Sequence, residues 1–188
     1  DERRTQIREA ALRVFARKGY VAARIDDVAE EVGLSKGAVY WHYESKKALF
    51  ADLVADWFRR SARTVEDERG RAGARAALRT AASDLVRRRA EMPLLLDFWA
   101  ETTRDPELRA LYNRIYGAMR EAWLELVGGP GREAYAAALV GAFSGLFVQW
   151  LADPEGVDLE AGIDAVFDLA DRVSRRSSRR TRGRTSPR

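Results

Sequence analysis

Apolar residues return along most of the chain every three or four positions, which is the spacing of one face of an α-helix. The first example places Ile7, Ala10, Ala11, Val14 and Phe15 on one stripe. No stretch alternates cleanly between apolar and polar positions, as a half-buried strand would. The pattern therefore predicts an all-α protein of about nine helices. After the first helix, which Gly19 ends, the predicted helices cover about 25–32, 35–42, 46–65, 72–89, 93–103, 106–127, 132–152 and 158–174.

The stretch EVGLSKG joins the second and third predicted helices through a tight turn. Its first glycine ends one helix, and Ser35 is placed to cap the N-terminus of the next. Helix, short turn and second short helix form the geometry that presents the second helix to the major groove of DNA. Val39 and Tyr43 fit a buried core, but the remaining residues favour a surface that contacts nucleic acid. These are Lys36, Gly37, Ala38, Tyr40, Trp41 and His42.

Composition removes several other classes of protein. The chain of 188 residues has no cysteine and one histidine, which excludes a disulfide scaffold, a zinc finger and a metal site built on histidines. A catalytic triad could use only His42. The first residues are charged where a signal peptide would be apolar, so we expect a cytoplasmic protein without a membrane anchor. No cofactor and no metal is expected.

Charge alone does not identify a partner. The net charge is +4, but the segment 174–188 holds seven arginines and no acid. Without it, 26 basic residues face 29 acidic ones, so the rest of the chain is mildly acidic. Residues 175–188 contain too few apolar side chains to fold and are predicted to form a basic, disordered tail.

The segment from Arg4 to Val54 resembles the DNA-binding domain of the tetracycline-repressor (TetR) family of bacterial regulators. The stretches that carry the resemblance are IREAALRVFARKGY and IDDVAEEVGLSKGAVYWHYESKKALF, together with their spacing. The resemblance implies a helix-turn-helix over about 24–43, a recognition helix over 35–42, and a palindromic double-stranded operator bound by a homodimer. It also implies an all-α fold with helices 1 to 3 as reader, helix 4 as connector and a helical C-terminal domain.

The resemblance also implies roles for individual residues. Lys36, Gly37 and Ala38 would stand at the base-facing end of the recognition helix, while Tyr40, His42 and Lys46 would contact phosphates. Trp41 would contact either the DNA backbone or the packing surface of helix 4. Many members have Thr or Ser at the start of the second helix where this chain has Ala23 and Arg24, so Arg24 is expected to replace that contact by its charge. The predicted DNA-binding set is Arg24, Ser35, Lys36, Gly37, Ala38, Tyr40, Trp41, His42 and Lys46.

The chain is predicted to divide into a DNA-binding domain over 1–58, a ligand-binding and dimerisation domain over 59–174, and the tail. The polar, glycine-bearing stretch VEDERGRAGAR is the predicted junction. In the resemblance, the second domain binds a small molecule and dimerises through its last two helices. The whole would be a ligand-responsive transcriptional regulator, in this family most often a repressor.

Residues 134–152 carry no formal charge and approach the length of a membrane span. A helix that is apolar all round can instead be buried between its own core and a partner subunit, and we favour that interpretation. Two helices from each of two chains would form a four-helix interface. The predicted interface residues are Ala138, Gly141, Gly145, Val148, Leu159, Ile163, Val166, Phe167 and Ala170.

Aromatic residues concentrate in the middle of the chain and could line a ligand pocket, although such stripes more often form plain core. The candidate pocket residues are Asp97, Phe98, Trp99, Glu101, Tyr112, Asn113, Tyr116, Met119, Trp123, Phe143 and Phe147. Carboxylates among aromatics would suit a cationic or amphiphilic effector. Two alternatives stay open: a helical enzyme using carboxylate pairs such as Asp97 and Glu101, without a DNA role, and a structural or membrane-associated helical protein that uses the apolar eighth helix and the basic tail.

Overall fold

The computed structural model describes residues 2–182, and within its helices it leaves out the side chains at 64–65, 68–72, 74 and 176–182. Over this range the protein is helical without strands, as the apolar spacing predicts. A short 3₁₀ turn, Arg89–Glu91, lies between α5 and α6. The nine α-helices are α1 (Glu2–Lys18), α2 (Ile25–Val32), α3 (Lys36–His42), α4 (Lys46–Ala72), α5 (Ala74–Arg87), α6 (Met92–Thr102), α7 (Pro106–Leu126), α8 (Glu133–Ala152) and α9 (Leu159–Arg182).

Side-chain caps set several of these boundaries as expected. The hydroxyl of Ser35 accepts a hydrogen bond from the Ala38 amide at 3.2 Å, and that of Ser45 accepts one from the Ala48 amide at 3.0 Å. The Asp105 carboxylate accepts from the amides of the residues that follow Pro106, at 2.8 and 3.1 Å. Each cap satisfies donors that the first turn of a helix leaves without a partner.

Two helices run further than the sequence pattern indicates. We predicted α4 to end near residue 65, but it continues to Ala72, and the break falls at Gly73, whose φ is +86°. The stretch VEDERG is rich in residues that tolerate a helix, so its polarity alone does not end one. Helix α9, predicted to end at 174, continues to Arg182 because no glycine or proline interrupts it before Gly183. The disorder predicted for 175–188 stays a prediction, and residues 183–188 lie outside the described range.

The chain forms two compact units, which do not follow the predicted division at residue 58. One comprises residues 1–63 and 84–114, and the other comprises 64–83 and 115–188. In the first unit, α1 packs against α2 and α6. Its aromatic core holds Phe50, which stacks on Tyr20 with ring centroids 4.0 Å apart and meets Phe15 edge-on at 5.7 Å.

In the second unit, α8 packs against α9. The helices approach so closely at Gly162 that a β-carbon there would lie 2.6 Å from the Leu146 side chain. Trp123 of α7 stacks on Phe167 of α9 at 5.3 Å. Helix α8 is long and apolar enough to cross a membrane, and 28% of its most apolar window is buried within the chain.

Candidate nucleic-acid interface

Helix α3 has one buried side and one outward side. Val39 is 0% exposed and Tyr43, which follows the helix, is 3% exposed, so these two residues hold α3 on the first unit. On the other side Tyr40 is 44% exposed and Trp41 is 86% exposed. Trp41 therefore does not pack on α4, one of the two positions that the sequence left open. A large aromatic side chain that is exposed in the free protein is typical of a surface that binds a partner.

The cationic residues near the start of α3 are exposed and held loosely. The Lys36 ammonium lies 3.0 Å from the Asp26 carboxylate, and the Arg24 guanidinium lies 3.7 Å from the same group. Their side chains are 51% and 76% exposed, respectively. Exposed ion pairs of this kind contribute at most about 1 kcal/mol. Both cations can therefore exchange Asp26 for a phosphate or a base edge at little cost.

Small residues lie at the N-terminal end of α3. Gly37 is exposed, and a β-carbon placed there would come no closer than 3.9 Å to the Ser35 hydroxyl. The unbound protein thus has room for a side chain at this position. The absence of one allows a close approach from outside the chain. Ala38 and His42 are half-buried along the same helix.

Lys46 makes contacts within its own chain that its predicted role does not include. Its ammonium donates to three backbone carbonyls, those of Tyr20 at 2.7 Å, Val21 at 3.1 Å and Ala23 at 2.9 Å. The same ammonium lies 4.6 Å from the centre of the Tyr20 ring. Burial lowers the pKa of Lys46, although Glu101 partly offsets this. These hydrogen bonds engage all three donors of the ammonium and fasten the turn between α1 and α2, and the phosphate contact of Lys46 stays a prediction.

Helix α6 fastens the same turn from its other end. The Asp97 carboxylate accepts a hydrogen bond from the Tyr20 amide at 2.7 Å. Glu101, one helical turn later, lies 3.4 Å from the Arg104 guanidinium. Asp97 was predicted to line a ligand pocket or to form a catalytic pair with Glu101. The structure instead gives its carboxylate a structural partner in the turn.

A network around Asp52 also supports α3, and the sequence pattern did not reveal it. The Tyr43 hydroxyl donates to the Asp52 carboxylate at 2.7 Å, and the guanidinium groups of Arg4 and Arg8 lie 3.3 and 3.5 Å from it. Burial raises the pKa of Asp52, but the Tyr43 hydrogen bond and the two arginines outweigh it and hold that pKa below its ordinary value. The network joins α1, the end of α3 and α4.

The predicted dimer residues divide into two groups. On α8, Ala138, Gly141 and Val148 are exposed and Gly145 is half-buried, and added β-carbons at either glycine would meet open space. On α9 the predicted stripe is buried within the chain, so it cannot offer a surface to a partner. The prediction placed an apolar stripe on α9 correctly, but the stripe packs within its own chain and not against a partner subunit. The five corrected residues are Leu159, Ile163, Val166, Phe167 and Ala170, all at most 7% exposed.

The predicted pocket residues divide between the two compact units. Asp97, Phe98, Trp99, Glu101, Tyr112 and Asn113 belong to the first, and Tyr116, Met119, Trp123, Phe143 and Phe147 to the second. Phe143 lies 6.0 Å from Trp123 and 5.1 Å from Phe147, ring centre to ring centre. All three are at most 5% exposed. These contacts account for the aromatics as core, and their role in a pocket remains a prediction.

Sequence families match both parts of the chain. Residues 7–53 match the family described as bacterial regulatory proteins, tetR family. Residues 70–175, more than half of the chain, match the C-terminal part of the BetI-type transcriptional repressors. The families that match are families of regulators and not of enzymes, so the carboxylate-enzyme alternative is set aside.

Individual relatives agree. The transcriptional activator FasR of Mycolicibacterium smegmatis is 28% identical over 90% of this chain and 82% of its own. The regulator YerO of Bacillus subtilis is 45% identical, but only over 26% of this chain and 17% of its own. The regulator AcrR of Shigella flexneri is 35% identical over 28% of this chain and 24% of its own. The two relatives that match only about a quarter of the chain are thus more identical to it than FasR, which matches most of the chain.

Solved structures share the whole fold. A transcriptional regulator from Pseudomonas aeruginosa has a TM-score of 0.78 and 22% identity, covering 95% of this chain and 93% of its own. A regulator from Saccharomonospora viridis, solved in complex with choline, has a TM-score of 0.71 and 25% identity, covering 90% of this chain and 96% of its own.

Proposed function

Because the chain belongs to the TetR family of bacterial transcriptional regulators, we propose that it is a homodimeric repressor that leaves a palindromic operator when it binds a small molecule. The observation that carries the DNA-binding part is the outward side of α3. Trp41 is 86% exposed there while Val39 on the opposite side is fully buried. A helix that packs on the protein through one side and exposes the other is suited to enter the major groove.

On this proposal the contacts on α3 fall into two kinds. Lys36, Gly37 and Ala38 stand at the N-terminal end, where a recognition helix meets base edges. Tyr40, Trp41 and His42 contact the phosphate–sugar backbone, and Arg24 adds a phosphate contact from the start of α2. Ser35 caps α3. Lys46 is left out of the contacts because its ammonium is already bound to three carbonyls.

The dimer is proposed to form on the outward face of α8. Ala138, Gly141 and Val148 are exposed on this face and Gly145 on the same face is half-buried, and small residues allow a second helix to approach closely. Leu169 adds an exposed apolar side chain from α9, 49% exposed. An apolar face of this kind is more stable against a second copy than against water.

The effector is proposed to be a small cationic or amphiphilic molecule. The regulator from S. viridis binds choline, and residues 70–175 resemble the BetI-type repressors. The second observation favours repression, although FasR is an activator. Binding can release the operator only if the effector prefers the conformation that does not bind DNA. A protein with this role acts where the chromosome is, so a cytoplasmic location is part of the proposal.

Selection of binding sites from random DNA tests this function directly. The expected product is a palindrome whose half-sites lie about one helical turn apart. Sedimentation of the free protein should show a dimer at micromolar concentration. A selection that enriches no sequence, or a wild type that sediments as a monomer, would contradict the proposal.

A further inference from the structure

The first compact unit contains an open groove between α4 and the start of α7. We call it the α4–α7 groove, and its lining comes from α4 and the turn before it, Glu44 to Ala55, and from α7, Glu107 to Arg114. Its volume is about 340 Å³, at the lower end of the range of about 300–1,000 Å³ that small-molecule sites occupy. None of the lining residues belongs to the candidate pocket or to the predicted DNA-binding set. Neither of those sites therefore accounts for this cavity.

Part of the lining is apolar. Leu108 and Leu111 contribute from α7 and are 1% and 8% exposed. Ala48, Ala51 and Ala55 contribute from α4, where a methyl group leaves space that a longer side chain would fill. From Ala48 to Ala55 the helix advances seven residues, about 10 Å along its axis. An alkyl chain that lies along these residues would remove apolar surface from water, which is favourable.

Ion pairs occupy the end of the groove nearest to α3. The Lys47 ammonium lies 3.0 Å from the Glu107 carboxylate and 3.2 Å from that of Asp105. Glu107 and Asp105 raise the pKa of Lys47, so its ammonium stays charged. Glu44 also lines the groove, in the turn that joins α3 to α4. Three carboxylates thus accompany one ammonium at this end, which makes it unfavourable for an anion.

The opposite end of the groove presents a guanidinium. Arg114 lies seven residues after Glu107, about 10 Å further along α7. Within the described residues, the exposed side chain of Arg114 forms no ion pair or hydrogen bond. The carboxylate in this half of the lining is that of Asp52, which already accepts from the Tyr43 hydroxyl and faces two guanidinium groups of α1. Arg114 is therefore available to pair with an anion that enters the groove.

We propose that the α4–α7 groove is a second small-molecule site, which binds an amphiphilic carboxylate. The carboxylate pairs with Arg114, whose planar fork of donors matches two carboxylate oxygens. The alkyl chain lies on the alanines and leucines, with its end toward the turn after α3. This orientation keeps the negative charge of the ligand away from Glu44 and Glu107. The inference goes beyond the proposed function, because it requires neither an operator nor the candidate pocket.

Titration of the full-length protein with octanoate tests the site. Calorimetry measures the affinity, and ¹³C-labelled alanine methyl groups report where the ligand lies, with Ala51→Ser to identify the Ala51 signal. We expect octanoate to move the Ala51 signal saturably. Octanol and octylammonium have the same chain without the negative charge, and they should bind at least about tenfold more weakly because they lack the charged hydrogen bonds to Arg114.

Three variants locate the binding. Arg114→Gln removes the charge and should weaken octanoate binding about tenfold, while octanol binds as before. Arg120→Gln changes another arginine of α7, outside the groove, and should leave octanoate binding unchanged. Ala51→Leu fills the groove and should abolish the binding of both molecules, with the helical content of the protein retained.

Three results would overturn the inference. Octanoate binding that persists in Ala51→Leu would place the ligand elsewhere in the protein. An Ala51 signal that does not move with octanoate, or equal affinities of the wild type and Arg114→Gln for octanoate, would do the same. None of these measurements uses DNA, so a failure of the groove as a site is distinct from a failure of the proposed function.

Discussion

Helices α3 and α9 both carry large apolar side chains, yet they use them in opposite ways. Helix α3 directs Tyr40 and Trp41 into solvent and keeps only Val39 inside. Helix α9 buries its stripe in its own chain, where Phe167 stacks on Trp123 at 5.3 Å. An apolar stripe shows that a helix has a contact face, but the neighbouring elements decide whether that contact is internal or awaits a partner.

The largest expected effect lies in α9. Phe167→Ala should destabilise the protein by about 3–5 kcal/mol, because it removes a fully buried ring and leaves a cavity. Leu169→Ala, two positions away on the exposed side, should change the unfolding free energy of the monomer by less than about 0.5 kcal/mol. Chemical denaturation of both variants measures the difference. Equal effects would mean that the two sides of α9 are not distinct.

A substitution on the outward face of α8 should weaken dimer formation and leave the fold of the chain intact. Gly141→Arg would place a charge in the proposed interface, which costs several kcal/mol when the charge is buried without a partner. In the free chain the position is open, so helical content should be retained. Sedimentation should show a shift to monomer, with Gly117→Arg, another helical glycine with open space beside it, as the control. An unchanged dimer would move the interface elsewhere.

Removing Asp97 should loosen the turn that positions the reading helix. Asp97→Ala leaves the Tyr20 amide without its acceptor and should cost about 1–3 kcal/mol of stability. Asp97→Asn keeps an oxygen acceptor and should recover most of that loss. Glu121→Ala, an exposed carboxylate on α7, is the control. Faster hydrogen exchange at the Tyr20 amide in Asp97→Ala alone would support the role, and equal exchange in all three variants would contradict it.

The Asp52 network predicts a smaller effect at acidic pH. The pKa of Asp52 in the folded protein lies below its ordinary value. The stability that the ionised Asp52 contributes is therefore complete above the unfolded pKa of about 3.9 and is lost as the pH falls through the folded pKa. Stability of the wild type should therefore decline below pH of about 4 more steeply than that of Asp52→Asn. If the stability of the two proteins falls in parallel as the pH is lowered, the contacts of Asp52 with Tyr43 and the arginines do not stabilise the fold.

The sequence was most informative where structure is determined locally. The glycine turn of EVGLSKG and the cap at Ser35 follow from neighbours within a few residues, whereas the sequence left the position of Trp41 open. Long-range contacts could not be predicted in the same way. Nothing near Lys46 in the sequence shows that the carbonyls of the turn before α2 lie within 3.1 Å of its ammonium, and nothing near Asp97 indicates Tyr20. Similarly, the spacing on α9 could not show that α8 and Trp123 cover its stripe.

The most direct test of the account compares Lys36 and Lys46, two lysines that the sequence alone assigns to DNA. Operator affinity is measured over a series of salt concentrations and against operators with single base changes. Lys36→Ala should alter which bases are preferred, because Lys36 stands at the base-facing end of α3. Lys46→Ala should keep the salt slope and base preference of the wild type and lose only stability, whereas loss of a phosphate contact would lower the log–log slope by about one. A base preference that stays unchanged in Lys36→Ala, together with a slope that falls in Lys46→Ala, would contradict both the reading helix and the structural role of Lys46.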